Sequence, residues 1–340
     1  MLYEFDFKDE KMYAIETTNL TKKYKTLVAV DNLNLQVEKG KIFGLLGPNG
    51  AGKSTILSML CTIINPTSGS AKVNGYDILT DSAKVRQSIG IVFQDLSVDD
   101  RLTGRENLKF HAMLYDVPSE SMNARIQEVL QLVELEDRAD SLVRTYSGGM
   151  IRRLEMGRGL LHHPEILFLD EPTIGLDPQT REHIWDYVLA LAKKENLTII
   201  LTTHYMDEAD LLCDDIAIID RGAIKVRDSP ENLKNFLEGD NIVIRTTLPD
   251  KLASGLTGQD FVIEVKISQD SLRLKVRDGS RNAPHIIDIA RDLAVHVDSI
   301  DIDEPTMHDV FLYHTGKEIR EEKDTDFTRM YKKKRGKGMR

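Results

Sequence analysis

Residues 42–46 form a continuous apolar run that leads directly into Gly47, Pro48, Asn49, Gly50, Ala51, Gly52, Lys53, Ser54 and Thr55. A short apolar run closed by glycine is the pattern of a strand buried on both faces. The segment after it matches G-x-x-x-x-G-K-[ST] in the required context, between a strand and a helix expected over about 53–62. Gly50 and Gly52 let the loop curl with its N–H groups inward, and the helix adds its positive end, so the loop can cradle a polyanion. Lys53 is then placed for the β- and γ-phosphates of a nucleotide and Ser54 for Mg²⁺. A plain glycine-rich turn gives no reason for the Lys-Ser pair. Such a loop belongs at the end of a buried parallel strand, which already confines the chain to an α/β fold.

The rest of the chain agrees. Buried-strand patterns return at 166–169, 198–201 and 216–219, with a helix expected over 181–193, and strands are expected at 15–18 and 33–37, the second alternating as a half-buried strand does. Between about 105 and 161 the pattern is helical; Ile126, Val129, Leu130 and Val133 fall on one stripe. After about 240 the pattern changes. Strand 241–246, helix 249–256, strands 261–268 and 271–277, helix 283–294 and strand 295–302 follow in the β-α-β-β-α-β order of a ferredoxin-like unit.

Of the 340 residues, 41% are hydrophobic and 29% charged, which excludes disorder over most of the length. No window approaches the roughly 18 apolar residues of a membrane span. Glu4, Asp6, Asp9 and Glu10 do not fit the basic start and apolar core of a signal peptide. Cys61 and Cys213 have no nearby partners, so reduced thiols are expected rather than a disulfide framework or a zinc site. His162 and His163 precede Pro164 with no further ligand at metal spacing and read as loop residues. The net charge is −10, yet Lys332, Lys333, Lys334, Arg335, Lys337 and Arg340 crowd the last positions. An acidic body with a basic tail is not a nucleic-acid surface, so no nucleic-acid partner is expected. The cations at 332–340 suit an anionic membrane surface.

Two further motifs carry chemistry. The apolar strand over 166–169 delivers Asp170 and Glu171 at its C-terminal end, where ligands bind in such sheets. Beside a phosphate loop, Asp170 suits the Mg²⁺ shell and Glu171 the orientation or deprotonation of an attacking water. Ser147, Gly148 and Gly149 precede a helix: Ser147 is a natural N-cap, and the glycines leave N–H donors for a second phosphate contact.

From about residue 15 to 235 the chain resembles the ATP-binding subunits of ABC transporters. Ser147, Gly148 and Gly149 occupy the place of that family's signature, Leu-Ser-Gly-Gly-Gln, from which Tyr146 and Met150 depart. The resemblance implies that Tyr24 stacks on adenine and that Gln94 touches Mg²⁺. It also implies that Asp177 lies in the loop coupling two sites, and that His204 contacts the γ-phosphate. Stretches 146–155, 171–181 and 304–312 look like the daunorubicin-resistance branch of exporters, and 102–108 resembles the segment that faces a membrane subunit.

The expected fold is therefore α/β. A P-loop NTPase core has a mostly parallel sheet, an antiparallel β edge and a helical subdomain at about 95–161. A small C-terminal α+β, ferredoxin-like domain follows. The expected domains are an extension 1–12, an ATPase domain 13–238, an accessory domain 240–316 and a charged tail 317–340. The resemblance implies an ATP-hydrolysing subunit that pairs with a second copy on binding ATP and powers drug efflux through a separate membrane permease. That places it at the cytoplasmic face of the cell membrane, with ATP and Mg²⁺ as its small molecules. Export of lipid, polysaccharide or peptide is the alternative, because the membrane subunit reads the cargo. A soluble, non-transport ABC ATPase acting on nucleic acid or ribosomes is a more distant alternative, since such relatives typically fuse two ATPase units or insert long coiled coils and this sequence shows neither.

Overall fold

Three apolar strands without alternation, β3 (Ile42–Leu46), β7 (Ile166–Asp170) and β8 (Thr198–Thr203), are wholly buried and lie side by side. The computed structural model describes residues 13–316 apart from Glu238, Gln269, Asp270 and Glu304. The extension 1–12, the tail with its cations at 332–340, and Glu304 of the C-terminal motif lie outside those residues. Around the three strands the sheet is completed by β6 (Ile89–Val92), β9 (Asp215–Asp220) and β10 (Ala223–Asp228), in the order β10-β9-β3-β8-β7-β6. All neighbours are parallel except β10 and β9, which pair antiparallel. Register sets Leu46 beside Thr203 and Asp170 beside Thr202. The loops leaving β3, β7 and β8 consequently emerge together at the carboxyl edge, where α/β sheets bind ligands.

A second sheet, antiparallel throughout, joins β1 (Tyr13–Tyr24) to β2 (Leu27–Glu38), β4 (Ser68–Val73) and β5 (Tyr76–Asp77). β1 and β2 run far beyond the short strands that the sequence suggests. Repeated register shifts break their apolar alternation and hide it from a period-2 reading. One core unites Ile15 and Leu35 of this sheet, Phe43 and Leu45 of β3, and Ile56 and Leu60 of α1 (Lys53–Leu60). Helix α2 (Ser82–Ser88) leads into β6. The expected helical stretch contains α3 (Gly104–Leu114), α4 (Ser119–Leu132) and α5 (Gly148–Leu160), and α6 (Pro178–Glu195) and α7 (Met206–Leu212) follow. Cys61 and Cys213 are buried and unpaired.

The chain divides between Ser229 and Pro230. That break precedes the boundary expected at about 239, because α8 (Pro230–Asn235) runs on into Phe236, whose ring lies 5.8 Å from that of Tyr313 on α11 (Met307–Thr315). In this second unit β11 (Asp240–Arg245), α9 (Pro249–Leu256), β12 (Val262–Ser268), β13 (Ser271–Val276), α10 (Gly279–Asp292) and β14 (Ser299–Asp303) follow the expected order. The sheet order β12-β13-β11-β14, all antiparallel, is the ferredoxin-like arrangement. Ile242, Ile244, Leu272 and Leu274 pack with Leu252, Leu256 and Ile286 in its own core. Helix α10 starts before the position its apolar pattern marks, because Asp278 accepts from Arg281 N and caps an earlier turn.

Candidate nucleotide site

The loop between β3 and α1 takes its shape from close approaches that only glycine allows. At Gly52 φ is 107°, and a Cβ there would lie 2.4 Å from the Ala29 carbonyl oxygen; one at Gly47 would lie 2.4 Å from that of Ile219. Gly52 is the N-cap of α1, and no side chain caps it, so the first-turn N–H groups are left for an anion. The Lys53 side chain turns back under the loop. Its buried Nζ donates to Gly47 O at 2.7 Å and Pro48 O at 3.3 Å, and lies 3.3 Å from Glu171 Oε1.

Across the sheet, Asp170 ends β7 and Glu171 begins the next turn. Thr202 ties them down: its hydroxyl donates to Asp170 Oδ1 and accepts from Glu171 N at 3.0 Å. Glu171 adopts φ 47°, a strained left-handed conformation for a non-glycine residue. The Ser54 hydroxyl donates to Asp170 Oδ1 at 3.3 Å, so the helix start and the strand end meet. His204 Nδ1 stands 3.2 Å from Glu171 Oε2. Burial pushes the Glu171 carboxyl up, but the adjoining His204 imidazole and Lys53 ammonium outweigh it and leave its pKa below the ordinary glutamate value. At Lys53 burial of the ammonium dominates and lowers the pKa, although Glu171 and Asp170 oppose the shift. The cluster thus offers an ionised carboxylate, a buried cation and an imidazole at the mouth of an anion-binding helix start.

The structure brings Lys53, Ser54, Asp170, Glu171 and His204 into one network. Other expected residues stand apart. Gln94 is exposed just beyond β6. Tyr24 ends β1, 44% exposed, with Lys22 Nζ 5.2 Å from its ring centroid. Ser147 caps α5, accepting from Met150 N, and Ser147 and Gly148 are exposed. A Cβ on Gly149 would lie 2.6 Å from Thr180 Cγ2, so α5 and α6 start in close contact. There Asp177 caps α6, accepting from Thr180 N at 3.0 Å. A cleft of about 660 Å³ opens beside this second site, lined by Ser147, Gly149, Met150, Arg153 and Thr180, and does not include the phosphate loop. His162 is structural: its ring stacks on Tyr115 at 4.0 Å and its Nε2 lies 2.8 Å from Ile89 O.

Sequence reading missed three supports. Thr202, fully buried, is the tie just described. Glu208 on α7, also fully buried, accepts from Thr173 Oγ1 at 2.8 Å and Trp185 Nε1 at 3.0 Å, holding the turn after Glu171 against α6. Arg152 on α5 donates to the carbonyls of Phe93, Asp170, Glu171 and Pro172. Thr202 had only the signal of a polar residue near the end of an apolar strand, which names no partner; Arg152 had none.

The ABC transporter family model matches residues 30–174, which hold the phosphate loop, the signature and both carboxylates. The linearmycin resistance ATP-binding protein LnrL of Bacillus subtilis (strain 168) is 36% identical over 318 residues, 90% of this chain and 100% of its own length. The chain is an ABC transporter ATP-binding protein. Its residues 229–315 match the C-terminal domain of DrrA1-3-like ATP-binding proteins. The daunorubicin/doxorubicin resistance ATP-binding protein DrrA of Streptomyces peucetius is 39% identical over 308 residues, 89% of this chain and 92% of that one. Among solved structures, cbiO1 of Clostridium perfringens, part of the ABC transporter complex cbiONQ, aligns with a TM-score of 0.61 at 28% identity, over 65% of this chain and 90% of that one. A dimeric ATP-binding cassette, MJ0796 with ADP and Pi, aligns with a TM-score of 0.57 at 28% identity, over 63% and 98%. This ABC protein is accordingly an ATPase subunit with an ATP-binding cassette fold. Among its described residues no helix is long and apolar enough to cross a membrane.

Proposed function

We propose that this ABC protein hydrolyses ATP to drive efflux of drug-like or other hydrophobic cargo through a separate membrane permease, at the cytoplasmic face of the cell membrane. The observation that carries the hydrolytic part is Glu171, held between Lys53 and His204 beside an uncapped helix start. In this reading Tyr24 stacks on adenine, residues 47–55 cradle the phosphates, and Lys53 neutralises charge on the γ-phosphate. Glu171 accepts a proton from the attacking water, and His204 steadies both Glu171 and the γ-phosphate.

Mg²⁺ fits the donors present. A hydroxyl (Ser54) and a buried carboxylate (Asp170) within 3.3 Å of each other are hard oxygen ligands, whereas Gln94, exposed and apart from that pair, is assigned to the ion by the family resemblance alone. An ion held by so few protein oxygens would share its remaining positions with nucleotide phosphates and water. When bound, Mg²⁺ supplies charge neutralisation at the phosphate oxygens.

Two copies act together, each ATP lying between one copy's phosphate loop and Ser147, Gly148 and Gly149 of the other, with Asp177 at the junction. The exposed signature supports that arrangement, as does the dimeric cassette among the structural neighbours. Phe110, Met113 and Leu114 fall on one face of α3 and are all more than half exposed, as is Leu96 after Gln94. This apolar surface suits a permease contact. Cargo follows from the relatives named for linearmycin and daunorubicin resistance.

The test is drug survival. Cells carrying this chain and its permease should tolerate daunorubicin or linearmycin, and Glu171→Gln should abolish the tolerance. ATPase activity without altered tolerance or uptake of either drug would redirect the proposal to lipid, polysaccharide or peptide cargo.

A further inference from the structure

Helix α5 does more than present the signature. Arg152 and Glu155 lie three residues apart, on one face of the helix, and both are buried. The Arg152 guanidinium donates to Phe93 O at 2.7 Å, Pro172 O at 2.6 Å, Glu171 O at 3.0 Å and Asp170 O at 3.2 Å. Glu155 accepts from Val98 N at 2.8 Å and from both the N–H and the hydroxyl of Ser97. Arg158 closes the group, donating to Glu155 Oε2 at 3.0 Å and Ser97 Oγ at 2.7 Å.

Two consequences follow from this geometry. The segment 93–98, which carries Gln94, is gripped at both ends by one helix turn. The same guanidinium also holds three successive carbonyls across the strained Glu171. A fork of planar donors can satisfy four carbonyls together, whereas a lysine ammonium has three donors and no planar fork. Four backbone acceptors on two separate loops are more than helix packing requires.

We infer that Arg152, supported by Glu155, is a positioning residue that makes α5 a rigid tie from the signature at Ser147 to both Gln94 and Glu171. Resting on the composite-site reading above, the tie has a direction. The N-terminus of α5 belongs to the partner's nucleotide, while its second turn holds the catalytic backbone of its own chain. A displacement of Ser147 on closure is therefore transmitted within one helix to the carboxylate of the other site. This gives the signature a mechanical output where Met150 stands in place of the family's glutamine.

The test compares two buried arginines. Arg125 donates to the carbonyls of Leu160 and Leu161 at the far end of α5 and touches neither Gln94 nor Glu171. Arg152→Lys should lower kcat by roughly tenfold to a hundredfold, as small misplacements of reacting groups do. KM for ATP and binding of a fluorescent ATP analogue should stay within about twofold of wild type. Arg125→Lys should keep wild-type kcat at a comparable loss of Tm. Should Arg152→Lys not fold, Glu155→Ala decides alone, with roughly a tenfold loss of kcat at unchanged KM expected.

Where all variants fold, the Arg152→Lys, Glu155→Ala double variant should lose less than the product of the single losses, because both grip one segment. Wild-type kcat in folded Arg152→Lys, or equal losses in the two arginine variants, would overturn the tie. So would unimpaired Glu155→Ala. A wild-type chain without Mg²⁺-dependent ATPase activity would instead overturn the functional reading, and the tie's catalytic role with it.

Discussion

The Lys53 ammonium lies 3.3 Å from Glu171 Oε1, and both groups are buried. This contact spans the sheet edge, from the loop after β3 to the turn after β7. It pairs the cation of an anion-binding loop with the carboxylate assigned to water activation. Each charge compensates the other in a place where either alone would be costly.

Replacing Glu171 with Gln keeps size and polarity but removes the base. ATP turnover should fall on the order of 10²-fold or more. ATP should still bind, so dimers that depend on ATP should accumulate on size exclusion with light scattering. Phosphate release close to wild type would remove Glu171 from its assigned role.

The depressed pKa of Glu171 gives a pH prediction with a definite sign. Ionised Glu171 stabilises the fold fully above its unfolded pKa, about 4.3. That contribution is lost as pH falls through the lower folded value. His204→Gln removes a lowering influence, so the carboxyl should titrate at higher pH by side-chain ¹³C NMR. Urea unfolding across the acid range should show a correspondingly smaller loss of stability in that variant. A Glu171 titration unmoved by His204→Gln would contradict the assigned cause.

Shared sites can be tested by complementation. Lys53→Ala breaks the phosphate loop and leaves the signature intact; Gly148→Asp puts a carboxylate where phosphate is meant to bind, and repels it. Each alone should be inactive. Random mixing should restore about a quarter of wild-type ATPase if the two sites act independently, since each mixed pair holds one intact site. If both sites must fire together, one trapped ATP per mixed dimer is expected instead. Proven mixed dimers with neither turnover nor trapped nucleotide would exclude the composite site.

Tyr146, which departs from the family's leucine, has a structural role. Its hydroxyl donates to Arg138 O at 2.6 Å, and the side chain is buried. Tyr146→Phe should cost about 1 kcal/mol in urea denaturation, with kcat little changed. A variant as stable as wild type would mean that the hydroxyl adds nothing.

Residues 42–55 were legible because their information is local. A strand buried on both faces leaves a continuous apolar run, and the left-handed turn at Gly52 demands a glycine wherever the loop occurs. The same holds for the order of the second unit, where alternation in β13 and the stripe on α10 report which face is buried. Local pattern fails where the ladder is irregular, as in β1 and β2, whose shifts in register destroy the period. It is silent on partners chosen by packing. Nothing near Arg152 in sequence indicates that it will hold the carbonyls of Phe93 and Pro172, and nothing near Thr202 marks Asp170 as its acceptor. Strand and loop chemistry belongs to the sequence because neighbouring residues impose it. The ties among Arg152, Thr202, Glu208 and the turn at Glu171 exist only once helices and strands distant in the chain have docked, since a buried polar group's partner is decided by which groups the fold lays against it.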